Sequence, residues 1–185
     1  MLRLKEKYQK EIIPAMMEKF GYKNRMAVPR IEKVTVNTGF GRLVAGKSSD
    51  EHKKIYNSIV QDLNLICGQK ATLNRAKKSI ASFKIREGQE IGASCVLRKS
   101  RMYDFLDRLT VIALPRSRDF RGISAASIDK QGNLTIGIKE HIAFPEIFSE
   151  KAKTIFGLEI TVVTTARKKE ESMELLKLIG FPFKA

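Results

Sequence analysis

The sequence predicts an α+β fold in which helices cover one face of a mostly antiparallel sheet and leave the other face open for binding. Several segments alternate apolar and polar residues, which is typical of strands with one buried face. Parallel strands are usually covered on both faces and would be apolar throughout. Other segments repeat apolar residues every three or four positions, as helices that pack by one side do. The chain is expected to form one domain spanning positions 1–185, because its length favours one core over two.

The first two predicted elements are a helix and a strand. Apolar residues at a spacing of four predict a helix over residues 2–20, which Pro14 must kink or split. Residues 31–38 then alternate, so that Val34 and Val36 point to one side and polar residues to the other. This segment is therefore expected to be a half-buried strand with a polar face.

A second helix and a short strand follow. Ser48 and Glu51 have the spacing of a capping box, and Gly68 is the residue at which the helix is expected to end. Residues 70–75 are expected to form a short strand. The polar and basic residues from there to Gly88 indicate a long loop.

The second half of the chain repeats these patterns. Residues 90–99 alternate and are expected to expose Ser94 and Val96 on a polar face. Ser100 can cap the next helix, which Pro115 is expected to end before a charged loop. The remaining predicted elements are a strand at 134–138, a short helical stretch after Pro145, a strand at 158–166 and a helix at 172–179. The predicted order is α-β-α-β-β-α-β-β-α.

Positive charge is the most distinctive feature of the composition. Lys and Arg exceed Asp and Glu by 15, and a surplus of this size attracts polyanions. Nine of the cations fall between positions 69 and 101 against two carboxylates, whereas a solvated surface would intersperse both signs. The nine are Lys70, Arg75, Lys77, Lys78, Lys84, Arg86, Arg98, Lys99 and Arg101. This concentration favours a phosphate-binding surface, and the interleaved Ser79, Ser82, Phe83 and Gln89 suit folded RNA better than a DNA duplex.

A second basic cluster lies further along the chain. Arg116, Arg118 and Arg121 surround Phe120 in a short segment. Such a cluster can contact RNA or an acidic protein, and composition does not choose between the two.

Membrane association, secretion and paired cysteines fit the sequence less well. An anionic membrane would attract the same charge, but no stretch approaches the roughly 18 apolar residues of a spanning helix. Neither a secretory signal nor a transit segment is evident, so a cytoplasmic protein is expected. Cys67 and Cys95 form no CxxC pair and are expected to be reduced, partly buried thiols.

One motif points instead to a nucleotide-binding enzyme. Residues 41–48 match the Walker A pattern, with glycines at 41 and 46 followed by Lys47 and Ser48. Such enzymes need this loop after a central parallel strand that is apolar on both faces, and residues 32–37 are half polar. His52 and His141 have no partners at metal-ligand spacing. No catalytic residue, metal or cofactor is therefore expected.

The order of many short blocks gives a resemblance to a known family. The blocks are Val28-Pro29-Arg30-Ile31-Glu32-Lys33, Asn37-x-Gly39-x-Gly41, Gly68-Gln69-Lys70, Arg75-Ala76-Lys77-Lys78-Ser79-Ile80, Phe83-Lys84-x-Arg86-x-Gly88, Met102-Tyr103-x-Phe105-Leu106, Ala113-Leu114-Pro115-Arg116, Arg118-Asp119-Phe120-Arg121-Gly122, Phe144-Pro145-Glu146-Ile147 and Val163-Thr164-Thr165-Ala166. From about Tyr8 to Phe183 the chain resembles the universal large-subunit ribosomal protein family, number five of that subunit, which binds 5S ribosomal RNA (rRNA).

The resemblance implies partners and sites. The implied partners are 5S rRNA, 23S rRNA, peptidyl-site (P-site) transfer RNA, small-subunit ribosomal protein thirteen and other large-subunit proteins, met in the central protuberance of the cytoplasmic ribosome. The implied 5S rRNA contacts are Lys33, Asn37, Gly39, Gln69, Lys70, Thr72, Arg75, Ser94 and Arg98. The implied transfer-RNA loop contains Lys77, Lys78, Ser79, Ser82 and Lys84, and the implied bridge to the small subunit contains Arg116, Arg118 and Arg121.

The chain departs from the family pattern in three places. Cys67 and Ala71 replace a usual Thr and Pro around Gly68-Gln69-Lys70, and Val96 replaces a usual Thr on the sheet face. Residues 128–130 read Ile-Asp-Lys where Phe-Asp-Gly is usual.

Overall fold

The computed structural model describes residues 4–118, 120–148 and 154–184, which contain a five-stranded sheet. The strands are β1 (Ile31–Gly39), β2 (Thr72–Arg75), β3 (Glu90–Leu97), β4 (Leu134–Ile138) and β5 (Leu158–Thr164). Their order across the sheet is β2-β3-β1-β5-β4, and every neighbouring pair is antiparallel. The predicted α+β class and antiparallel sheet are therefore confirmed.

Seven α-helical segments accompany the sheet within the described residues. They are α1 (Leu4–Lys7), α2 (Ile13–Phe20), α3 (Gly41–Val44), α4 (Ser49–Cys67), α5 (Lys99–Arg108), α6 (Leu114–Arg116) and α7 (Lys169–Ile179). The main elements follow the predicted order. Of the helical stretch predicted after Pro145, residues 146–148 are not helical and residues 149–153 lie outside the described residues. A short 3-10 turn at His141–Ala143 precedes it.

Each of two prolines follows a π-helical turn. Tyr8–Ile12 is π-helical before Pro14, and Leu109–Ala113 is π-helical before Pro115. Proline has no N–H to donate, and its ring clashes with the carbonyl four residues earlier in a regular α-helix. A wider π turn spreads these groups, so the helical path can continue past the ring. The break predicted at Pro14 takes this form, and the helix predicted to end at Pro115 continues to Arg116.

Helix α4 has the predicted ends. The Ser48 hydroxyl accepts from the Glu51 N–H, and the Glu51 carboxylate accepts from the Ser48 N–H, both at 3.4 Å. Gly68 ends the helix with φ +65°, a conformation that glycine adopts without the strain of a side chain. The capping box and the glycine end are confirmed.

Two other helix starts were wrongly predicted. Helix α5 begins at Lys99 rather than after Ser100, and no side-chain hydrogen bond caps its start. Lys99 takes the left-handed conformation (φ +56°) where the chain passes from β3 into the helix. Helix α7 begins at Lys169, three residues before Ser172. Ser172 is fully buried in the first turn, and its hydroxyl donates to the Gly132 carbonyl at 2.5 Å.

The core lies between the helices and one face of the sheet. Val34 and Val36 of β1 are fully buried and belong to one cluster with Ile59 of α4 and Phe105 of α5. The alternate residues of the strands are partly or fully exposed, apart from the buried Gly92 of β3. The predicted arrangement, with helices on one face and the other face open, is confirmed.

The two cysteines meet at the contact between α4 and β3. Both are free and buried, and their proximity raises the pKa of the Cys67 thiol and lowers that of the Cys95 thiol. Both thiols are more fully buried than the partly buried thiols that were predicted, and the sequence did not indicate that Cys67 and Cys95 adjoin.

Candidate nucleic-acid interface

All five strands place polar side chains on the uncovered face of the sheet. A few positions of that face are occupied by glycine or valine instead. We call this set the open face: Lys33, Thr35, Asn37, Thr72, Asn74, Ser94, Val96, Thr135, Gly137, Glu159, Thr161 and Val163. Hydroxyl and amide groups predominate over charges. The open face can therefore offer many hydrogen bonds to a partner without the cost of bringing several like charges together.

The strand register aligns these residues in rows. Thr72 lies opposite Ser94, Ser94 opposite Asn37, Asn37 opposite Glu159 and Glu159 opposite Gly137. Neighbouring strands lie about 4.8 Å apart, so this row spans about 19 Å from β2 to β4. Three predicted site residues therefore lie side by side: Thr72 on the edge strand β2, Ser94 on β3 and Asn37 on the central strand β1.

The neighbouring row contains the residue that departs from the family pattern. Val96 is 45% exposed and lies opposite Thr35 of β1. From Thr35 the row continues to Thr161 of β5 and Thr135 of β4. Its methyl groups form the apolar part of an otherwise polar row. They can contact a sugar or a base edge but cannot donate a hydrogen bond.

Cationic and amide side chains lie where β3 ends. Gln69 donates from Nε2 to the Val96 carbonyl at 2.9 Å and accepts from Arg101 at 3.4 Å. Arg98 pairs with Glu32 at 3.4 Å, with about half of each side chain exposed. An exposed pair of this kind contributes little stability, so an incoming phosphate can replace the carboxylate. The family resemblance implied Gln69 and Arg98 as site residues, Arg101 was predicted only as part of the basic cluster, and Glu32 was not predicted.

Further predicted residues lie along the β2 margin and at the end of the central strand β1. Lys70 is exposed beside the strand, and Gly39 is exposed at the end of β1. Arg75 pairs with Glu90 at 3.4 Å, and 70% of its side chain is exposed. The Ser94 hydroxyl donates to the Asn74 amide oxygen at 3.3 Å, which links β3 to the edge strand.

The predicted long loop between β2 and β3 is internally hydrogen-bonded. Ala76 donates to the Gln89 carbonyl at 2.8 Å, Gly88 donates to the Ala76 carbonyl at 2.9 Å, and the Glu87 N–H donates to Ser79 Oγ at 2.9 Å. These bonds hold the two arms of the loop together. The side chains that point outward include Lys77, Lys78, Ser79, Ser82, Lys84 and Phe83, which is 63% exposed. The loop is therefore a hairpin-like basic arm rather than an irregular segment.

The Walker A pattern does not form a nucleotide loop. It follows β1, which lies between two antiparallel neighbours instead of in a parallel sheet. Part of it, Gly41–Val44, is the short helix α3. The Ser48 hydroxyl that would bind magnesium in such a loop caps α4.

The two histidines have structural contacts. His52 Nε2 lies 2.9 Å from the Glu90 carbonyl oxygen. His141 is fully buried, stacks on Phe156 at 3.9 Å and accepts from the Phe156 N–H. Burial lowers the pKa of His141, which favours the neutral ring. Across residues 4–118, 120–148 and 154–184, no group of three or more His, Cys, Asp or Glu is placed to hold a metal ion.

The second basic cluster lies beyond the opposite margin of the sheet. Arg116 is exposed at the end of α6, and Arg118 and Arg121 are exposed in the segment that follows it. Lys139 and Lys184, which belong to neither predicted basic cluster, line a cavity together with Arg118 and Arg121. None of the helices in the described part of the chain is both long and apolar enough to cross a membrane.

Comparison with known proteins gives the same family over nearly the whole chain. The family model "Ribosomal protein L5" matches residues 24–86, and the model for the C-terminus of the same ribosomal protein family matches residues 90–183. Relatives named "Large ribosomal subunit protein uL5" include one from Clostridium botulinum (strain Eklund 17B / Type B), 52% identical over 183 residues, which is 99% of each chain. Another, from Halothermothrix orenii, is 53% identical over 97% of each chain, and one from Clostridium tetani is 50% identical over 98% of this chain and 97% of its own. The chain belongs to the ribosomal protein L5 family.

Proposed function

We propose that the chain is a structural component of the large ribosomal subunit and binds 5S rRNA through the open face of its sheet. The observation that carries the proposal is an uncovered, five-stranded polar face with cations at its margins, in a chain whose relatives are named large ribosomal subunit proteins. The family consists of ribosomal proteins, which are structural and not enzymes. The protein would work in the cytoplasm, where it would help to attach 5S rRNA to 23S rRNA and neighbouring proteins in the central protuberance.

Binding would combine charge with shape. Lys33, Lys70, Arg75 and Arg98 would contact phosphates, which releases counterions and makes the affinity fall steeply as salt rises. Asn37, Gln69, Ser94, Thr72 and the backbone at Gly39 would fix the register of a folded RNA by hydrogen bonds. Since β1 packs between strands from the second half of the chain, the whole of positions 1–185 would act as one domain.

The hairpin-like loop between β2 and β3 would contact a different RNA. It projects Lys77, Lys78 and Lys84 with Ser79 and Ser82, and we propose that these residues reach the P-site transfer RNA. The segment that carries Arg116, Arg118 and Arg121 would lie near the small subunit and its ribosomal protein thirteen.

Replacing both Lys77 and Lys78 by Ala tests this division of the surface. The variant should bind 5S rRNA within about twofold of the unchanged protein, because neither lysine belongs to the open face. Its ribosomes should hold P-site transfer RNA roughly tenfold more weakly, which corresponds to about 1.4 kcal/mol. Filter binding with a 5S rRNA transcript and with transfer RNA on reconstituted ribosomes measures the two affinities.

The matched control replaces Lys53 and Lys54, two exposed lysines of α4, by Ala. It removes the same charge from the helical side and should leave both affinities unchanged. Loss of 5S rRNA binding in the Lys77 and Lys78 variant would contradict the division, and a protein that binds the 5S transcript no better than an unrelated folded RNA would contradict the function.

A further inference from the structure

A cation-lined cavity lies at the β4 margin of the open face. Its volume is about 380 Å³, and Arg118, Arg121, Lys139 and Lys184 line it. None of the described residues that line it is Asp or Glu. All four cations are exposed, and none forms an ion pair with a carboxylate in the described part of the chain.

The cavity is built by three separate segments of the chain. Ile123 donates to the Pro182 carbonyl at 2.8 Å, and Lys184 donates from its backbone to the Ile123 carbonyl at 2.9 Å. Gly122 has φ +88°, and a Cβ there would lie 3.1 Å from Lys184 Cγ and 3.2 Å from its backbone nitrogen. Glycine is therefore required for this close approach, which fixes Lys184 next to the segment that carries Arg121.

The third segment connects the cavity to the open face. Thr135 and Gly137 of β4 belong to the open face and also line the cavity. The alternation of β4 continues past buried Ile138, which places Lys139 on the same side as these two residues. A Cβ at Gly137 would meet nothing within 4 Å, so the surface above it is clear.

Four cations around one cavity, paired with no carboxylate among the described residues, repel one another, and an anionic partner removes this repulsion. Because the cavity adjoins the open face, the expected anion is a phosphate of the RNA that lies on that face. A folded RNA that lies across the sheet reaches the β4 margin about 19 Å from β2, where its phosphates meet these cations. Glu159, the acidic residue of the open face, lies one strand away opposite Gly137 and does not line the cavity.

We propose that this cavity is a second phosphate-binding site for the same RNA that occupies the open face, with Arg118, Arg121, Lys139 and Lys184 as its ligands. The proposal rests on the proposed function, because the RNA must first lie on the sheet. It separates the arginines of this segment: Arg118 and Arg121 serve the RNA, and Arg116, which does not line this cavity, remains for the small-subunit contact.

The test uses the full chain with Arg121 and Lys184 both replaced by Ala and a 5S rRNA transcript as the probe. The affinity should fall roughly tenfold at fixed salt, and the slope of log K against log salt should become shallower by about one to two, since two phosphate contacts are lost. The charge-conserving exchange Arg121→Lys with Lys184→Arg should retain both the affinity and the slope. The Lys53→Ala and Lys54→Ala control should leave the slope unchanged.

The outcomes separate this inference from the function on which it rests. Normal affinity and slope in the Arg121 and Lys184 variant, while Lys33→Glu with Arg98→Glu loses binding, would overturn the second site and leave the proposed function intact. Normal RNA binding with lost binding of small-subunit ribosomal protein thirteen would overturn it in favour of a protein partner. Failure of the unchanged protein to bind the 5S transcript would instead overturn the proposed function.

Discussion

Replacing Lys33 and Arg98 by Glu is expected to weaken 5S rRNA binding at least roughly 100-fold, or about 2.7 kcal/mol. Lys33 lies on the open face, and Arg98 follows the end of β3 beside it, where it is exposed and pairs only weakly with Glu32. The exchange removes two phosphate contacts and places two negative charges against the RNA backbone. Filter binding or fluorescence anisotropy over a range of salt concentrations measures the loss.

The control for this prediction reverses the same number of charges on the helical side. Lys53→Glu with Lys54→Glu changes the net charge equally, and both lysines are exposed on α4, which packs on the covered face. It should weaken binding by no more than about threefold through the long-range field. An equal loss in both variants would mean that net charge alone drives binding, and no loss in either would exclude the open face as the binding surface.

Replacing Phe105 by Ala is expected to lower the free energy of unfolding by about 3 to 5 kcal/mol. The Phe105 ring is fully buried and stacks on Phe144 with a centroid separation of 5.7 Å and an interplanar angle of 24°. Removing it leaves a cavity between α5 and the covered face of the sheet, which the surrounding side chains can fill only partly. Urea unfolding followed by circular dichroism measures the change.

Leu65→Ala provides the comparison for the core prediction. Leu65 is an apolar residue of α4 that is 58% exposed, so its truncation should change the free energy of unfolding by less than about 0.5 kcal/mol. If Phe105→Ala cost less than about 1 kcal/mol, the ring would not be part of the packed core that supports the open face.

Alternation made the sheet predictable. Val34 and Val36 are buried while Lys33 and Asn37 remain partly exposed, as the period of two in residues 31–38 predicted. Local capping also sufficed for α4, because Ser48 and Glu51 contact each other within one turn. Features that depend on neighbouring residues or on strand period can therefore be found from the sequence.

Features that depend on distant contacts could not be found in this way. Ser172 was expected to begin α7, but it is held inside the first turn by the carbonyl of Gly132, 40 positions earlier. The helix through Pro115 passes a π turn, which residue propensities do not indicate. The left-handed Lys99 gives no sequence signal either, since glycine is the usual residue in that conformation.

The same distinction applies to the candidate site. Asn37 and Ser94 could be placed on one face by alternation, and the register then brings them opposite each other. By contrast, Arg98 meets Glu32 across 66 positions, and Lys184 reaches Gly122 through pairing of the C-terminal segment. Charge clustering along the sequence identified the β2 side of the surface and Arg118 and Arg121 of the β4 side, whereas Lys139 and Lys184 join them only in the folded chain.

Ultraviolet cross-linking of the protein to 5S rRNA, with the attached peptides identified by mass spectrometry, tests most directly whether the uncovered side of the sheet holds the RNA. The account predicts cross-linked residues in β1, β3 and the adjoining Gln69 to Arg75 segment. Cross-links confined to α4, α5 and α7, with none in these strands, would contradict it.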